Sequence, residues 1–171
     1  MKTERHLPVA SLPIHTPEGN FVAHYSERGL MQLDFPSPKN PAPGWVDLPG
    51  IRPKINRWHR LTTRSLKEVL AGREISQLPP FDLSNGTKFQ QTVWAEILKI
   101  PIGQTRTYSQ LAQKISNPKA RRAVGQGCGA NPIPLLIPCH RLVAVHGKIG
   151  GFSGGLKWKT LLLRREGVLF T

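Results

Sequence analysis

The chain has 171 residues, 39% of them apolar, which is enough for one good hydrophobic core or two small ones and too much for a disordered tail. Lys and Arg number 24 against 10 Asp and Glu, and the net charge of +14 points to a polyanionic partner, nucleic acid before an anionic membrane surface. The start, MKTERHLPVASLPIHTPEG, lacks the apolar run of a signal peptide, and no later stretch approaches the roughly 18 apolar residues of a membrane span, so the expected location is intracellular, cytoplasmic or, in a eukaryote, nuclear.

Along the chain, Asn20 to Phe35, NFVAHYSERGLMQLDF, carries two partly alternating apolar runs around SERG and predicts a β-hairpin turning near Glu27 to Gly29. The next segment, PSPKNPAPGWVDLPGIRP, holds six prolines and predicts a surface loop without regular structure. Thr63 then predicts the cap of a short helix, RSLKEVLAG, that ends at Gly72. Hairpin and helix make a small α/β N-terminal domain, residues 1–84, with its linker near LPPFDLSNG.

From Thr87 the pattern turns helical: Phe89, Val93 and Ile97 recur at i, i+4 and i+8 with Trp94 alongside, until Pro101 and Gly103 stop it. A second helix is expected at TYSQLAQKI, burying Leu111, Ala112 and Ile115. Asn117 and Pro118 supply the cap and first position of a third, NPKARRAVGQGCGAN, running to about Ala130. Short helices around a tight SNP turn, with the last one basic, read as a helix-turn-helix in a C-terminal domain, residues 85–171. Charge divides the same way: residues 1–100 carry 13 basic and 9 acidic side chains, residues 101–171 carry 11 basic and one acidic, Glu166.

The third helix carries a cost, because each internal glycine disfavours a helix by about 0.5–1 kcal/mol relative to alanine. Gly125, Gly127 and Gly129, with Ala120 and Ala123, make a small-residue surface that admits a close backbone, from a protein neighbour or a nucleic-acid groove. Lys119, Arg121 and Arg122 crowd the first turns, where the helix dipole disfavours cations and a phosphate would be welcome. The same residues also fit a frayed helix end with a solvated basic face, and composition alone does not separate the two.

The chemistry concentrates in NPIPLLIPCHRLVAVHGKIGGFSGG. Cys128 and Cys139 are expected to be free thiols, Cys128 as a structural residue inside the helix. Cys139 is followed at once by His140 and Arg141, neighbours that favour the nucleophilic thiolate, and the glycine-rich loop beyond offers N–H groups and the Ser153 hydroxyl. A cysteine phosphatase would need Arg where Val145 stands, a papain-like protease would place its histidine far downstream, and the Cys/His spacing does not match a zinc site.

NPIPLLIPCHRLV, preceded by TYSQLAQKI and NPKARRAVGQGCGANP and followed by GGFSGGLKWKTLLLRREG, resembles the C-terminal domain of O6-alkylguanine-DNA alkyltransferases, the methylated-DNA-protein-cysteine methyltransferases, over about Thr87 to Gly167. The resemblance implies a winged helix-turn-helix behind a ribonuclease H-like N-terminal domain. It implies a monomer with no cofactor and no metal that binds alkylated duplex DNA in the minor groove, flips the damaged nucleotide and reverses the lesion directly. In that scheme Cys139 is the irreversible alkyl acceptor from O6-alkylguanine, with O4-alkylthymine a second candidate substrate. His140 takes the thiol proton through a water and Glu166 orients it. Asn131 is the hinge, Tyr108 rotates the 3′ phosphate and donates to guanine N3, and Ser153 helps stabilise the O6 side. Arg122 is the finger that fills the vacated stack, with Arg121, Lys119, Ala123 and Gly125 on the DNA-facing helix. Leu142 and Phe152 depart from the commoner valine and tyrosine and bear on alkyl size. A lesion-binding regulator using the same surface and a cysteine hydrolase on acidic substrates are the alternatives.

Overall fold

The structure, a computed structural model, describes residues 6–169, so the first five residues of the N-terminal stretch read against a signal peptide and the last two of the C-terminal domain lie outside the described residues. The chain forms two compact units, residues 1–67 with 75–85, and residues 68–74 with 86–171.

The first unit is built on an antiparallel sheet of β1 (Ala10–Thr16), β2 (Gly19–Tyr25), β3 (Leu30–Asp34) and β4 (Gly44–Trp45), in the order β3-β2-β1-β4. The predicted hairpin is β2–β3. Strand β1 was not legible because Pro13 interrupts it, and Pro13 is tolerated because β4 pairs only with Ala10 and Ser11, leaving no donor required at Pro13 on that side. Strand β4 lies inside the proline-rich segment expected to be irregular, a second correction. Ile14, Phe21, Ala23, Tyr25, Leu30 and Leu33 are buried. His24 ties three strands together, with Ser11 Oγ and Asp34 Oδ2 each 2.8 Å from its ring nitrogens.

Helix α1 runs over Ile51–Leu70, its last turn belonging to the second unit, so Thr63 lies mid-helix instead of capping it. Pro53 sits in the first turn, where its missing N–H has no helical partner to lose. The hydroxyls of Thr62 and Ser65 bond back to the carbonyls of Trp58 and Leu61 at 2.9 Å, which lets poor helix formers stay inside. Ile51, Ile55, Trp58, Thr62 and Leu66 are buried at helical spacing.

In the second unit, α2 (Lys88–Ile97) and α3 (Tyr108–Lys114) each begin with a reciprocal capping box, Thr87 with Gln90 and Thr107 with Gln110. Ser116, with φ of 57°, reverses the chain, and one 3₁₀ turn (Pro118–Ala120) leads into α4 (Arg121–Gly129). Asn117 makes no side-chain cap, and Ile115 is only half-buried at the end of α3, both departures from expectation. The short strands β5 (Arg106–Thr107) and β6 (Leu142–Val143) pair in parallel, and α5 (Leu156–Arg165) closes the unit. Helices α2 and α4 are joined by the Trp94 indole N–H, which donates to the Gly127 carbonyl at 2.8 Å. Gly127 therefore faces the core against Val93, and the three glycines of α4 do not share one outward surface. Among the described residues no helix is long and apolar enough to cross a membrane.

The segment read as a linker is held in place: Leu30 N–H donates to Pro80 O and Asp82 N–H to Leu30 O, both at 2.8 Å. A Cβ on Gly29 would stand 2.3 Å from the Pro80 carbonyl oxygen. Gly29→Ala is expected to destabilise the protein by about 1–3 kcal/mol through overpacking against backbone, read as a lower urea midpoint. An unchanged midpoint would show that residues 80–82 are not held against β3.

Candidate active site

The chain leaves α4 at Asn131, whose amide organises the segment up to Cys139. Its Oδ1 accepts from Ile133 N–H at 3.0 Å, and its Nδ2 donates to Ile137 O at 2.9 Å and to the Cys139 sulfur at 3.0 Å. Ile133, Leu135, Leu136 and Ile137 are fully buried, so the apolar run anchors the sulfur from one side while Asn131 aims it. Cys139 is 1% exposed and opens a 3₁₀ turn, Cys139–Arg141.

That turn lets two consecutive side chains reach one carboxylate. His140 Nε2 is 2.8 Å from Glu166 Oε1. Arg141 donates from Nη2 to Oε1 at 2.9 Å and from Nε to Oε2 at 3.0 Å, while its Nη1 donates to the Ile100 carbonyl at 2.6 Å. Burial alone would raise the Glu166 pKa, but the hydrogen bonds from His140 and Arg141 hold it at about 2. Burial pushes the His140 pKa down despite Glu166, so the ring is neutral at neutral pH. With the carboxylate accepting, the proton sits on Nε2, and Nδ1, buried with no hydrogen-bond partner among the described residues, keeps a free lone pair.

The Cys139 thiol ionises more readily than an ordinary buried thiol. The neighbouring Cys128 thiol, then Asn131 and the Lys159 cation, lower the Cys139 pKa against its burial, and the Cys128 sulfur also reaches the Cys139 carbonyl at 3.9 Å. Cys128 is pushed up correspondingly by the neighbouring Cys139 and by burial. Lys159, fully buried, donates to the carbonyls of Leu142 at 2.5 Å and Gly151 at 3.0 Å, and burial lowers its own pKa.

Above the sulfur lies a cavity of about 220 Å³, lined by Tyr108, Gly125, Cys128, Gly129, Cys139, Gly151, Phe152 and Ser153. This is below the roughly 300–1,000 Å³ of pockets for drug-sized ligands and suits one small planar group. Burial first, then the two thiols, pushes the Tyr108 hydroxyl up to about 12, so it stays a neutral donor. Gly150, at φ +71°, passes close to that hydroxyl: a Cβ there would meet it at 3.5 Å and the Ala144 amide nitrogen at 3.3 Å. Phe152 stands edge-on to His140, ring centroids 6.4 Å apart, and Ser153 is exposed at the rim. A larger hollow of about 870 Å³ near Lys99, Arg106 and Lys114 is wide open and holds no nucleophile, so the smaller cavity is the chemical site.

Thus Cys139, Tyr108, Ser153 and Gly125 line one cavity, Asn131 is bonded to the sulfur, and His140 is paired with Glu166. Lys119, Arg121 and Arg122 are exposed, and Ala123 is half-buried; none of them lines the cavity. Sequence reasoning missed three participants. Cys128, read as structural, lines the cavity; Gly125, Cys128 and Gly129 stand at i, i+3 and i+4, so their shared helix face was available as a signal. Arg141 was noticed only as a neighbour of the cysteine, not as a partner of Glu166. Lys159 gave no signal, because lysine among LKWKTLLLRR reads as a solvated residue. Among the described residues no group of three or more His, Cys, Asp or Glu side chains could hold a metal ion.

Comparison with known proteins gives concordant matches. The family model described as 6-O-methylguanine DNA methyltransferase, DNA binding domain, matches residues 88–168. The methylated-DNA-protein-cysteine methyltransferase of Methanosarcina acetivorans is 36% identical over 155 residues, covering 89% of this chain and 94% of that protein. A crystal structure of Mycobacterium tuberculosis OGT in complex with DNA is similar at a TM-score of 0.69 and 34% identity, covering 90% of each chain. The M. tuberculosis O6-methylguanine methyltransferase structure gives 0.71 and 31%, covering 91% of each.

The geometry leads to two expected outcomes. Without the Cys128 thiol beside it the Cys139 proton is held more tightly, so Cys128→Ala is expected to slow alkylation of Cys139 by a small haloacetamide about tenfold at neutral pH and to move the rate profile to higher pH; an unchanged profile would show that Cys128 does not assist ionisation of Cys139. Glu166→Gln should cost about 3–5 kcal/mol at neutral pH by leaving Arg141 buried without its anion. Because the folded-state carboxyl is held at about 2 against an ordinary 4.5, its contribution is full above 4.5 and is lost as pH falls toward 2. Urea unfolding of wild type should therefore weaken across that window and that of the variant should weaken less; parallel curves would contradict the network.

Proposed function

Because the chain belongs to the methylated-DNA-protein-cysteine methyltransferase family, we propose that it repairs DNA by direct reversal, moving the alkyl group of O6-alkylguanine onto Cys139 in a single, irreversible turnover. The observation that carries the assignment of the acceptor is the buried Cys139 sulfur lining a small cavity, held by Asn131 at 3.0 Å and followed in the chain by a neutral His140.

The sulfur attacks the alkyl carbon in line. As the S–C bond forms, the bond from carbon to O6 breaks and its electron pair passes to guanine. The thiol proton goes through a water to His140, whose Nδ1 lone pair is free and whose imidazolium would be stabilised by Glu166. Guanine takes a proton in return, leaving normal base and a thioether. Tyr108, a neutral donor at the cavity wall, and Ser153 at the rim stabilise charge developing on the purine. Asn131 acts as the hinge between α4 and the acceptor turn. A cavity of about 220 Å³ accepts a base only after it leaves the stack, and the lesion's weakened pairing lowers the few kcal/mol that flipping costs.

In this reading the exposed Arg122 fills the vacated place, Arg121 and Lys119 meet phosphates, and Ala123 and Gly125 let α4 enter the minor groove of double-stranded DNA. Residues 85–171 then act as a winged helix-turn-helix domain behind a ribonuclease H-like domain of residues 1–84. The protein works as a monomer, without cofactor or metal, in the compartment that holds the DNA, and O4-alkylthymine is the second candidate substrate.

Cys139→Ala is expected to bind duplex containing O6-methylguanine and to remove no methyl, whereas wild type removes one per chain and stops. Continued turnover would instead favour a cysteine hydrolase, and equal repair by both proteins would exclude Cys139 as acceptor. Arg122→Ala should weaken base extrusion, followed by fluorescence of a reporter beside the lesion, more than it weakens duplex binding. Unchanged extrusion would remove the finger role.

A further inference from the structure

Helix α1 carries a pattern that the sequence hides, because only the last third of the helix reads as helical there. Arg57, Arg60, Arg64 and Lys67 recur at i, i+3, i+7 and i+10 and are all exposed, on the face opposite Ile51, Ile55, Trp58, Thr62 and Leu66. Each cation is one turn from the next, so the four repel one another along the helix. None of them has an ion-pair partner among the described residues. The one acid on the helix, Glu68, is half-buried and lies beside the stripe, not in it. An amphipathic helix needs a polar outer face, but solvation alone favours mixed signs, and here the sign is uniform.

The stripe is also shaped. Arg57, Arg60 and Arg64 line one concavity of about 310 Å³ together with Leu61 and Gln77, so three arginines and a glutamine border the same space. Planar guanidinium forks match phosphate oxygens, and an amide adds a neutral donor. Ten residues of helix extend about 15 Å, and a DNA strand advances about 3.4 Å per phosphate, so the stripe is long enough to face about four phosphates of one strand.

We propose that the α1 stripe is a second phosphate-binding surface, in the N-terminal unit, that takes the backbone of duplex DNA independently of α4. The identity of the polyanion rests on the proposed DNA-repair function; the surface itself rests on α1. Its contacts carry no sequence information and add affinity and residence on undamaged DNA, where a protein that acts once must search.

The test uses the full chain and a long undamaged duplex, with affinity measured against salt. Replacing Arg57, Arg60 and Arg64 together by glutamine should weaken binding at least tenfold at low salt and reduce the slope of log affinity against log salt by about 2–3, close to 0.9 for each phosphate no longer neutralised. The matching triple lysine variant keeps the charge and should restore most of the slope, which separates loss of charge from damage to the fold. Methyl transfer from a saturating short duplex carrying O6-methylguanine should proceed at the wild-type rate in the glutamine variant. Unchanged affinity and slope in the glutamine variant would overturn the proposal, including the case in which the stripe serves a protein partner. Failure of the wild type to take any methyl would overturn the repair function instead, while the salt slope would still report on the stripe.

Discussion

A single buried carboxylate holds the reactive end of the second unit together. Glu166 is the one acid among the last 71 residues, its side chain is 1% exposed, and it accepts hydrogen bonds from both residues that follow Cys139. Burying such charges costs several kcal/mol per ion, and the cost is recovered only where geometry is good and the remaining donors are satisfied. Here Arg141 directs its third nitrogen to the Ile100 carbonyl beyond α2, so the end of α5, the end of α2 and the Cys139–Arg141 turn are fixed to one another. The tautomer of His140 is set by that arrangement, which leaves the Nδ1 lone pair without a partner among the described residues.

The sulfur itself is balanced between opposing effects. Burial favours the neutral thiol; Cys128, Asn131 and Lys159 favour the thiolate. Burial keeps the sulfur weakly solvated and strengthens each of these interactions, since charges in a low-dielectric interior interact more strongly than in water. The cost of a glycine-rich α4 finds its explanation in two separate demands: Gly125 and Gly129 keep the cavity open on one face, and Gly127 brings α4 against Val93 and Trp94 on the other.

Where hydrophobic periodicity and caps were strong, the sequence was informative. The helix after Thr87 and the one at Tyr108–Lys114 are explained by capping boxes and apolar spacing, and the β2–β3 hairpin by alternation around SERG. Prolines and hydroxyl residues hid the rest. Pro13 masked β1, six prolines masked β4 and the start of α1, and Thr63 read as a cap although it lies mid-helix, next to a Thr62 whose hydroxyl is satisfied by the Trp58 carbonyl. At the site, residues next to Cys139 in sequence were legible, whereas Lys159 was not, because its burial depends on carbonyls supplied by Leu142 and Gly151 in a separate loop. Tertiary partners decide whether a charged side chain is buried, and no local pattern encodes them.

Locating the transferred group by peptide mapping, after the protein has been mixed with excess duplex containing O6-methylguanine, bears most directly on the chemistry. The methyl is expected on the peptide that holds Cys139, at one per chain, with Cys128 unmodified although the two thiols share a cavity. A methyl on Cys128, or folded and DNA-saturated protein with neither sulfur modified, would contradict the assignment of Cys139 as the acceptor.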